Sequence, residues 1–298
     1  MSSDEWQIGT LVVNPAKPVW GPGKVVKIVP GRVYVVWRDL PEREAKLMVT
    51  SALQRAVGQN DPVLDNLPPL IEKDGRPALP KDRVTFEQAV SAFQAKFPRG
   101  FEDPAYIDDP KVGERQYKWL AHEYYLERLG GGKLRELLET DLRTLVQEVE
   151  RCVGKVNLVY PIEAASLRDA LRVEDAARPF FAKLAELLEA EQITERVFAP
   201  YAEAVCGLPA ERGRVATWPV ATIVPFLAQP DRHMFLKPDL TKKAADSLGF
   251  HLNYRPHPNW LTYRSLLQMA EIYREKLSPL KPRDLIDVQS FFWVACAG

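Results

Sequence analysis

The sequence predicts an α+β multidomain protein, a small β-barrel followed by a larger all-α domain. Residues 6–57 fall into short β-branched runs punctuated by Gly, Pro and Asn, the pattern of short strands joined by tight turns. From residue 83 the apolar spacing changes to the three-to-four-residue repeat of amphipathic helices. Between them, residues 58–82 carry five prolines, which fix φ and remove backbone donors. The expected organisation is therefore a barrel over 1–57, a Pro-rich linker over 58–82 and a helical domain over 83–298.

The strands come first. "GTLVVN" and "GKVVKIV" are β-branched and bounded by turn formers. In "GRVYVVWRD" the pleat sends Val33, Val35 and Trp37 one way and Arg32, Tyr34, Val36 and Arg38 the other. Pro30-Gly31 is a tight connection, and "EAKLMVTSALQRA" supplies a last strand and a short helical turn. Four or five short strands cannot bury two faces as a flat sheet; curling solves that and the edge problem together. The helices follow. "TFEQAVSAFQAKF" opens on a Thr85 cap with Phe86, Ala89, Val90, Phe93 and Phe97 on one stripe. The same spacing recurs down to "RDLIDVQSFFWVACA", eight to ten helices in all, interrupted by prolines.

Composition bounds the function. The chain has 298 residues, 46% hydrophobic and 27% charged, with 40 Lys and Arg against 40 Asp and Glu. With no net charge, any polyanion surface must be a local patch. Three widely spaced cysteines suggest no disulfide framework and a reducing compartment. The N-terminus lacks the pattern of a secretory signal and no run approaches a membrane span, so a cytoplasmic location is expected.

Trp6, Gly9, Val12, Asn14-Pro15, Trp20-Gly21-Pro22-Gly23-Lys24-Val25 and the Val35–Trp37 strand together resemble a known pattern. The arrangement W-x-x-G-x-x-V-x-N-P…W-G-x-G-x-V is similar to the SH3/Tudor-like domain at the C-terminal end of UvrD-type helicases. More distantly it is similar to the RNA-polymerase-interacting barrel of CarD-like regulators. The likeness covers residues 4–57 and implies a docking module for RNA polymerase or nucleic acid, with no catalytic residue carried over. Read from the residues themselves, 1–57 holds eight Lys and Arg against five Asp and Glu. Basic side chains beside aromatics can grip a phosphate backbone and stack on bases, or meet an acidic protein surface. The candidate contacts are Trp20, Lys24, Lys27, Arg32, Trp37 and Arg38. The alternative is that both Trp are core and the Lys are a solvated rim.

In the helical domain residues 218–267 are the densest unusual stretch. They hold three of the four His and interleave basic with aromatic side chains. Arg232, His233, Lys237, Lys242, Lys243 and Arg255 are the candidate contacts there, unless "HMFLKP" is a plug that tucks Met234 and Leu236 under neighbouring helices. The order of an apolar helix, "PDRHMFLKPDLTKKAADSLGF" and a last apolar helix resembles the second half of helix-hairpin-helix DNA glycosylases. That likeness implies a catalytic Asp at the head of a helix, a place taken by Asp239, acting on a flipped base. The hairpin's Gly-x-Gly is absent, and Pro219 stands where backbone amides should hold phosphate. Asp284 and Asp287 could pair on one helix face, but first-turn acids complementing a helix dipole explain them more simply.

No His-x-x-x-His, Cys-x-x-Cys, phosphate-loop or Gly-x-Ser-x-Gly motif occurs, so no metal or cofactor is expected. The leading expectation is a non-enzymatic binding protein associated with nucleic acid or RNA polymerase, in transcription, repair or genome defence. The alternatives are a DNA-processing enzyme using Asp239 and a protein–protein adaptor.

Overall fold

The computed structural model describes residues 6–40, 45–56, 61–73, 75–79, 84–211 and 213–296. It is mixed α+β, with a curled antiparallel five-stranded sheet at the N-terminal end followed by helices. By its contacts the chain divides into two units, Met1–Val90 with Lys243–Leu252, and Ser91–Lys242 with Asn253–Gly298.

In the first unit the sheet comprises β1 (Leu11–Val13), β2 (Gly23–Val29), β3 (Arg32–Trp37), β4 (Lys46–Val49) and β5 (Gln54–Arg55), ordered β4-β3-β2-β1-β5. Pro30 and Gly31 form the two-residue link between β2 and β3, with Val29 opposite Arg32. Gly31 takes φ 72°, which a side chain resists. The register slips between Val25 and Lys27, a bulge that bends and twists the strand. Val33, Val35 and Trp37 point inward, joining Val12, Val25 and Leu53, with Trp6, Trp20, Leu40 and Met48 packed on them. Val36, expected on the other face, is buried as well.

Residues 61–79 carry structure where a linker is expected; residues 57–60, 74 and 80–83 lie outside the described ones. Helix α1 (Pro62–Asp65) is capped by Asp61, whose carboxylate accepts from the Val63 and Leu64 amides at 3.1 Å. Proline at the first helical position costs nothing, since that amide has no intrahelical partner. Strands β6 (Ile71–Lys73) and β7 (Arg76–Ala78) then pair antiparallel, with Lys73 opposite Arg76. Val63, Leu64 and Ala78 are buried, and the Ala45 amide donates to Pro77 O at 2.8 Å. The segment Lys243–Leu252 joins the same unit, with Phe250 and Leu252 buried and the His251 amide donating to Asn66 O. The first unit is thus larger than residues 1–57 and is not contiguous in sequence.

Helix α2 (Phe86–Lys96) starts on a reciprocal cap: the Gln88 amide donates to Thr85 Oγ1 and the Thr85 amide to Gln88 Oε1. There follow α3 (Pro104–Asp108), α4 (Gln116–Leu129), α5 (Lys133–Thr140), α6 (Leu142–Gly154), α7 (Pro161–Leu171) and α8 (Glu174–Glu189). Then come α9 (Glu195–Cys206), α10 (Trp218–Ala228), α11 (Pro238–Leu248), α12 (Trp260–Lys276) and α13 (Leu285–Cys296). The helices outnumber the expected eight to ten because a short helix forms at Pro104 and because Asp141 divides residues 133–154. The Asp141 side chain accepts from the Thr144 amide and so starts α6. Prolines 179, 200 and 225 lie inside α8, α9 and α10 instead of between helices. All eleven residues of α10 are buried. Phe93, Phe97, Phe101, Tyr106 and Phe291 form one aromatic cluster, and Phe198 stacks on Tyr263 at 4.0 Å.

Candidate functional site

Three of the four basic side chains of the sheet expected to grip phosphate, Lys24, Lys27 and Arg38, already face acids of their own unit. Lys24 Nζ donates to Leu64 O at 2.8 Å and lies 3.9 Å from Asp65. Lys27 is 3.7 Å from Glu72. Arg38 forks onto Asp39 and also reaches Asp61 at 3.1 Å. The Asp39 hydrogen bond is the main reason its guanidinium holds its proton more firmly than usual, against the opposing effect of burial. Asp61 therefore serves both α1 and Arg38.

Trp37 is not a rim residue. It is 4% exposed because it lies opposite Gly23, where a Cβ would come within 2.7 Å of the indole. Trp20 is half-buried, its ring 5.3 Å from that of Trp37, and Lys46 lies over it at 5.5 Å. Of the six expected contacts, Arg32 is the residue that projects into solvent from a strand.

What the sheet does expose is the outer face of β3 and β4. Tyr34 stands opposite Leu47 and Arg32 opposite Val49, with Leu47 41% and Val49 46% exposed. Lys27, paired across to Tyr34 on β2, lies 5.8 Å from the tyrosine ring. This is an apolar and aromatic strip with a basic margin, on the strand that ends the sheet. Leu47 and Val49 escaped the sequence reading; once Met48 is placed inward, alternation alone puts its two neighbours outward.

The candidates of the second stretch do not converge. Arg232 closes the end of α8, donating to Ala190 O at 2.7 Å and Glu191 O at 2.9 Å. His233 is fully buried, with Nδ1 2.8 Å from the Tyr263 hydroxyl and Nε2 without a partner. Burial, with a smaller effect from Arg232, lowers its pKa to about 3, so it is neutral. Met234, Phe235 and Leu236 are buried too, so "HMFLKP" is a plug. Lys237 is half-buried between the exposed rings of Tyr160 and Trp293, at 4.6 and 5.2 Å. Lys242 lies 4.1 Å from the Tyr254 ring. Lys243 is exposed and belongs to the first unit. Arg255 is exposed, while its backbone is tied to Trp218 and Thr262. Asp239 is 98% exposed in the first turn of α11, 4.0 Å from Lys242. A carboxylate so hydrated is poorly placed to stabilise charge on a flipped base.

A buried polar cluster gathers Asp284 and Asp287 around Arg115, a partner the sequence did not single out. Arg115, 7% exposed, binds Asp284 with both terminal nitrogens (2.9 and 2.7 Å) and Asp287 with one (2.8 Å). Asp287 also accepts from the Tyr106 hydroxyl at 2.6 Å and from Arg283. Burial alone would loosen the Arg115 proton, but Asp284 and Asp287 outweigh it and raise the pKa. Burial, then Asp287, raises the Tyr106 pKa. Beside them Lys118 is completely buried, donating to Glu114 at 3.0 Å and Ser290 at 2.9 Å. Its pKa is pushed down to about 8, burial outweighing the Glu114 charge. Asp284 additionally accepts from the Ile286 amide at the start of α13. The two aspartates thus do more than complement a dipole: they tie α13 to α3 and α4. Each charge is matched, so the cluster reads as structural.

Among the described residues no group of three or more His, Cys, Asp or Glu is placed to hold a metal ion, and no helix is long and apolar enough to cross a membrane. Comparison with protein-family models, curated proteins and solved structures finds no match.

Proposed function

We propose that the chain is a non-enzymatic binding protein whose N-terminal unit docks on a protein partner through the outer face of β3 and β4. The observation that carries this reading is the strip of exposed Leu47 and Val49 with half-buried Tyr34, beside Arg32, in a sheet whose Lys24, Lys27 and Arg38 are paired internally. Apolar side chains at the centre with charge at the margin suit a protein surface better than a phosphate backbone. The likeness of residues 4–57 to the SH3/Tudor-like barrels supports it, because in CarD-like regulators that module meets RNA polymerase, itself a protein contact.

One observation favours a nucleic-acid contact as a second reading. Tyr160 and Trp293, 57% and 44% exposed, flank Lys237, an arrangement on which unpaired bases can stack. A single experiment separates the two. The full chain is measured against RNA polymerase by interferometry and against labelled single-stranded and duplex DNA by anisotropy across a salt series. The docking reading expects polymerase binding that Leu47→Asp with Val49→Asp weakens at least about tenfold, as desolvating a carboxylate in an interface requires. Steeply salt-dependent DNA binding lost in Trp293→Ala, with no polymerase binding, transfers the function to the second reading.

A further inference from the structure

Strand β4 ends the five-stranded sheet, and the ladder fixes where its outer backbone groups point. The Arg38 amide donates to Pro22 O at 2.9 Å, so residue 38 turns its backbone groups toward β2. Antiparallel strands alternate, which turns Trp37, Val35 and Val33 toward β4. Lys46 and Met48, opposite Val35 and Val33, face back to β3. Leu47 and Val49 therefore point their amides away from the sheet, as does Ala45, whose amide donates to Pro77 O at 2.8 Å. Among the described residues no backbone group accepts from the Leu47 and Val49 amides, and none donates to Leu47 O. Val49 is still extended, at φ −76° and ψ 137°, before residues 50–52 leave the ladder as a 3-10 turn. An open edge is normally guarded by charge or proline; the outer face of β4 carries Leu47 and Val49 instead.

We infer that this edge pairs with the same edge of a second copy of the chain, antiparallel about a two-fold axis at Met48. In that register Leu47 faces Val49 of the second copy, and Val49 faces its Leu47. Each such pair exchanges two backbone hydrogen bonds, so the outward amides of both residues find acceptors. The side chains agree with the backbone. On the outer face, Tyr34 and Leu47 of one copy run on into Val49 and Arg32 of the other, which joins two short apolar strips into one. Like charges stay apart. Each Arg32 ends its row opposite Tyr34 of the second copy, three strand spacings or about 14 Å away. On the inner face Lys46 falls opposite Thr50, not opposite another lysine. Neighbouring registers fail. Leu47 opposite Leu47 would set Val49 against Ala45, whose amide Pro77 already holds. Val49 opposite Val49 would set Leu47 against Ser51, inside the 3-10 turn. A slip of one residue would oppose outward groups to inward ones. The second copy thus supplies half of the apolar strip on which the proposed docking relies.

Pairing is measured with the chain alone, so it stands or falls separately from docking on RNA polymerase. The test is sedimentation velocity of the full chain from about 5 to 500 µM, the range suited to a small interface. The expected result is a shift from monomer to dimer and no further, because a two-fold contact closes on itself. Leu47→Pro removes an outward amide that makes no bond within the folded chain. It is expected to leave the urea midpoint in place and weaken dimerisation at least about tenfold. Met48→Cys gives a second test that does not depend on that variant folding. It is made in a Cys206→Ser background, which leaves only the buried Cys152 and Cys296. Residues facing each other in a non-hydrogen-bonded pair lie about 4.5 Å apart at Cα, so mild oxidation links two copies through residue 48. Val49→Cys in the same background stays unlinked, since its two copies lie diagonally, about 7–8 Å apart. A chain that remains monomeric at about 500 µM overturns the inference. So does a dimer that Leu47→Pro leaves intact, cross-linking at residue 49 in preference to 48, or growth beyond the dimer.

Discussion

His233 shows how far one side chain can be from its apparent chemistry. In sequence it stands between Arg232 and Met234 in a basic, proline-rich stretch and reads as a contact. In the structure it is a buried neutral ring whose Nδ1 meets the Tyr263 hydroxyl. Its pKa of about 3, from burial, lies below the ordinary value of 6.5. As pH falls below 6.5 the unfolded chain takes a proton that the folded chain refuses until about 3. Stability is therefore lost through that window, by up to about 1.4 kcal/mol per pH unit. His233→Gln, which can still accept from Tyr263, is expected to flatten this acid limb in urea titrations between pH 6.5 and 4. An unchanged limb would assign the acid sensitivity to other groups. Arg115 is the opposite case. Nothing around it announces a function, because its partners Asp284 and Asp287 stand 169 and 172 residues away. Sequence spacing reveals pairs within one helix, not pairs between helices.

At the scale of elements, legibility followed local chemistry. The β3 alternation, the Pro30-Gly31 turn and the Thr85 cap depend on a few neighbouring residues and were readable. Residues 61–79 carried equally local signals, Asp61-Pro62 for a helix start and Asp74-Gly75 for a hairpin turn, but the density of prolines outweighed them. The role of Gly23 needed the register. It reads as a turn residue beside Pro22, yet it faces Trp37 across the β2–β3 ladder. A Cβ there would sit 2.5 Å from Val35 Cγ1 and 2.7 Å from the indole. Gly23→Ala should therefore cost about 1–3 kcal/mol, the usual range for overpacking a filled core. Urea unfolding monitored by Trp fluorescence checks this, with Gly31→Ala as the comparison. Gly31 has open space around it but φ 72°, so its cost is conformational. Equal and negligible losses at both would show that the sheet yields to take the methyl group.

The largest gap between sequence and structure lies at the scale of the whole chain. A boundary after residue 57 follows from the change of period, but periodicity says nothing about where a later segment packs. The chain returns Lys243–Leu252 to the first unit, with Ala244, Ala245, Phe250 and Leu252 buried. A fragment of residues 1–57 would lose Asp61 from Arg38 and Leu64 O from Lys24, and with them the buried Val63 and Leu64. A fragment ending at residue 90 would keep those and still lack the apolar side chains of the returning segment. The two losses can be weighed without cutting the chain. Phe250 is 2% exposed, so Phe250→Ala in the full-length protein should destabilise the first unit by about 3–5 kcal/mol, the range for emptying a buried phenyl site. Hydrogen exchange locates the effect. The amides of β2 and β3 should lose protection in the variant, because a unit that unfolds cooperatively transmits the loss to its strongest ladder. Protection in β2 and β3 that survives Phe250→Ala would mean that the strands hold without the returning segment, and would restore the shorter boundary drawn from the sequence.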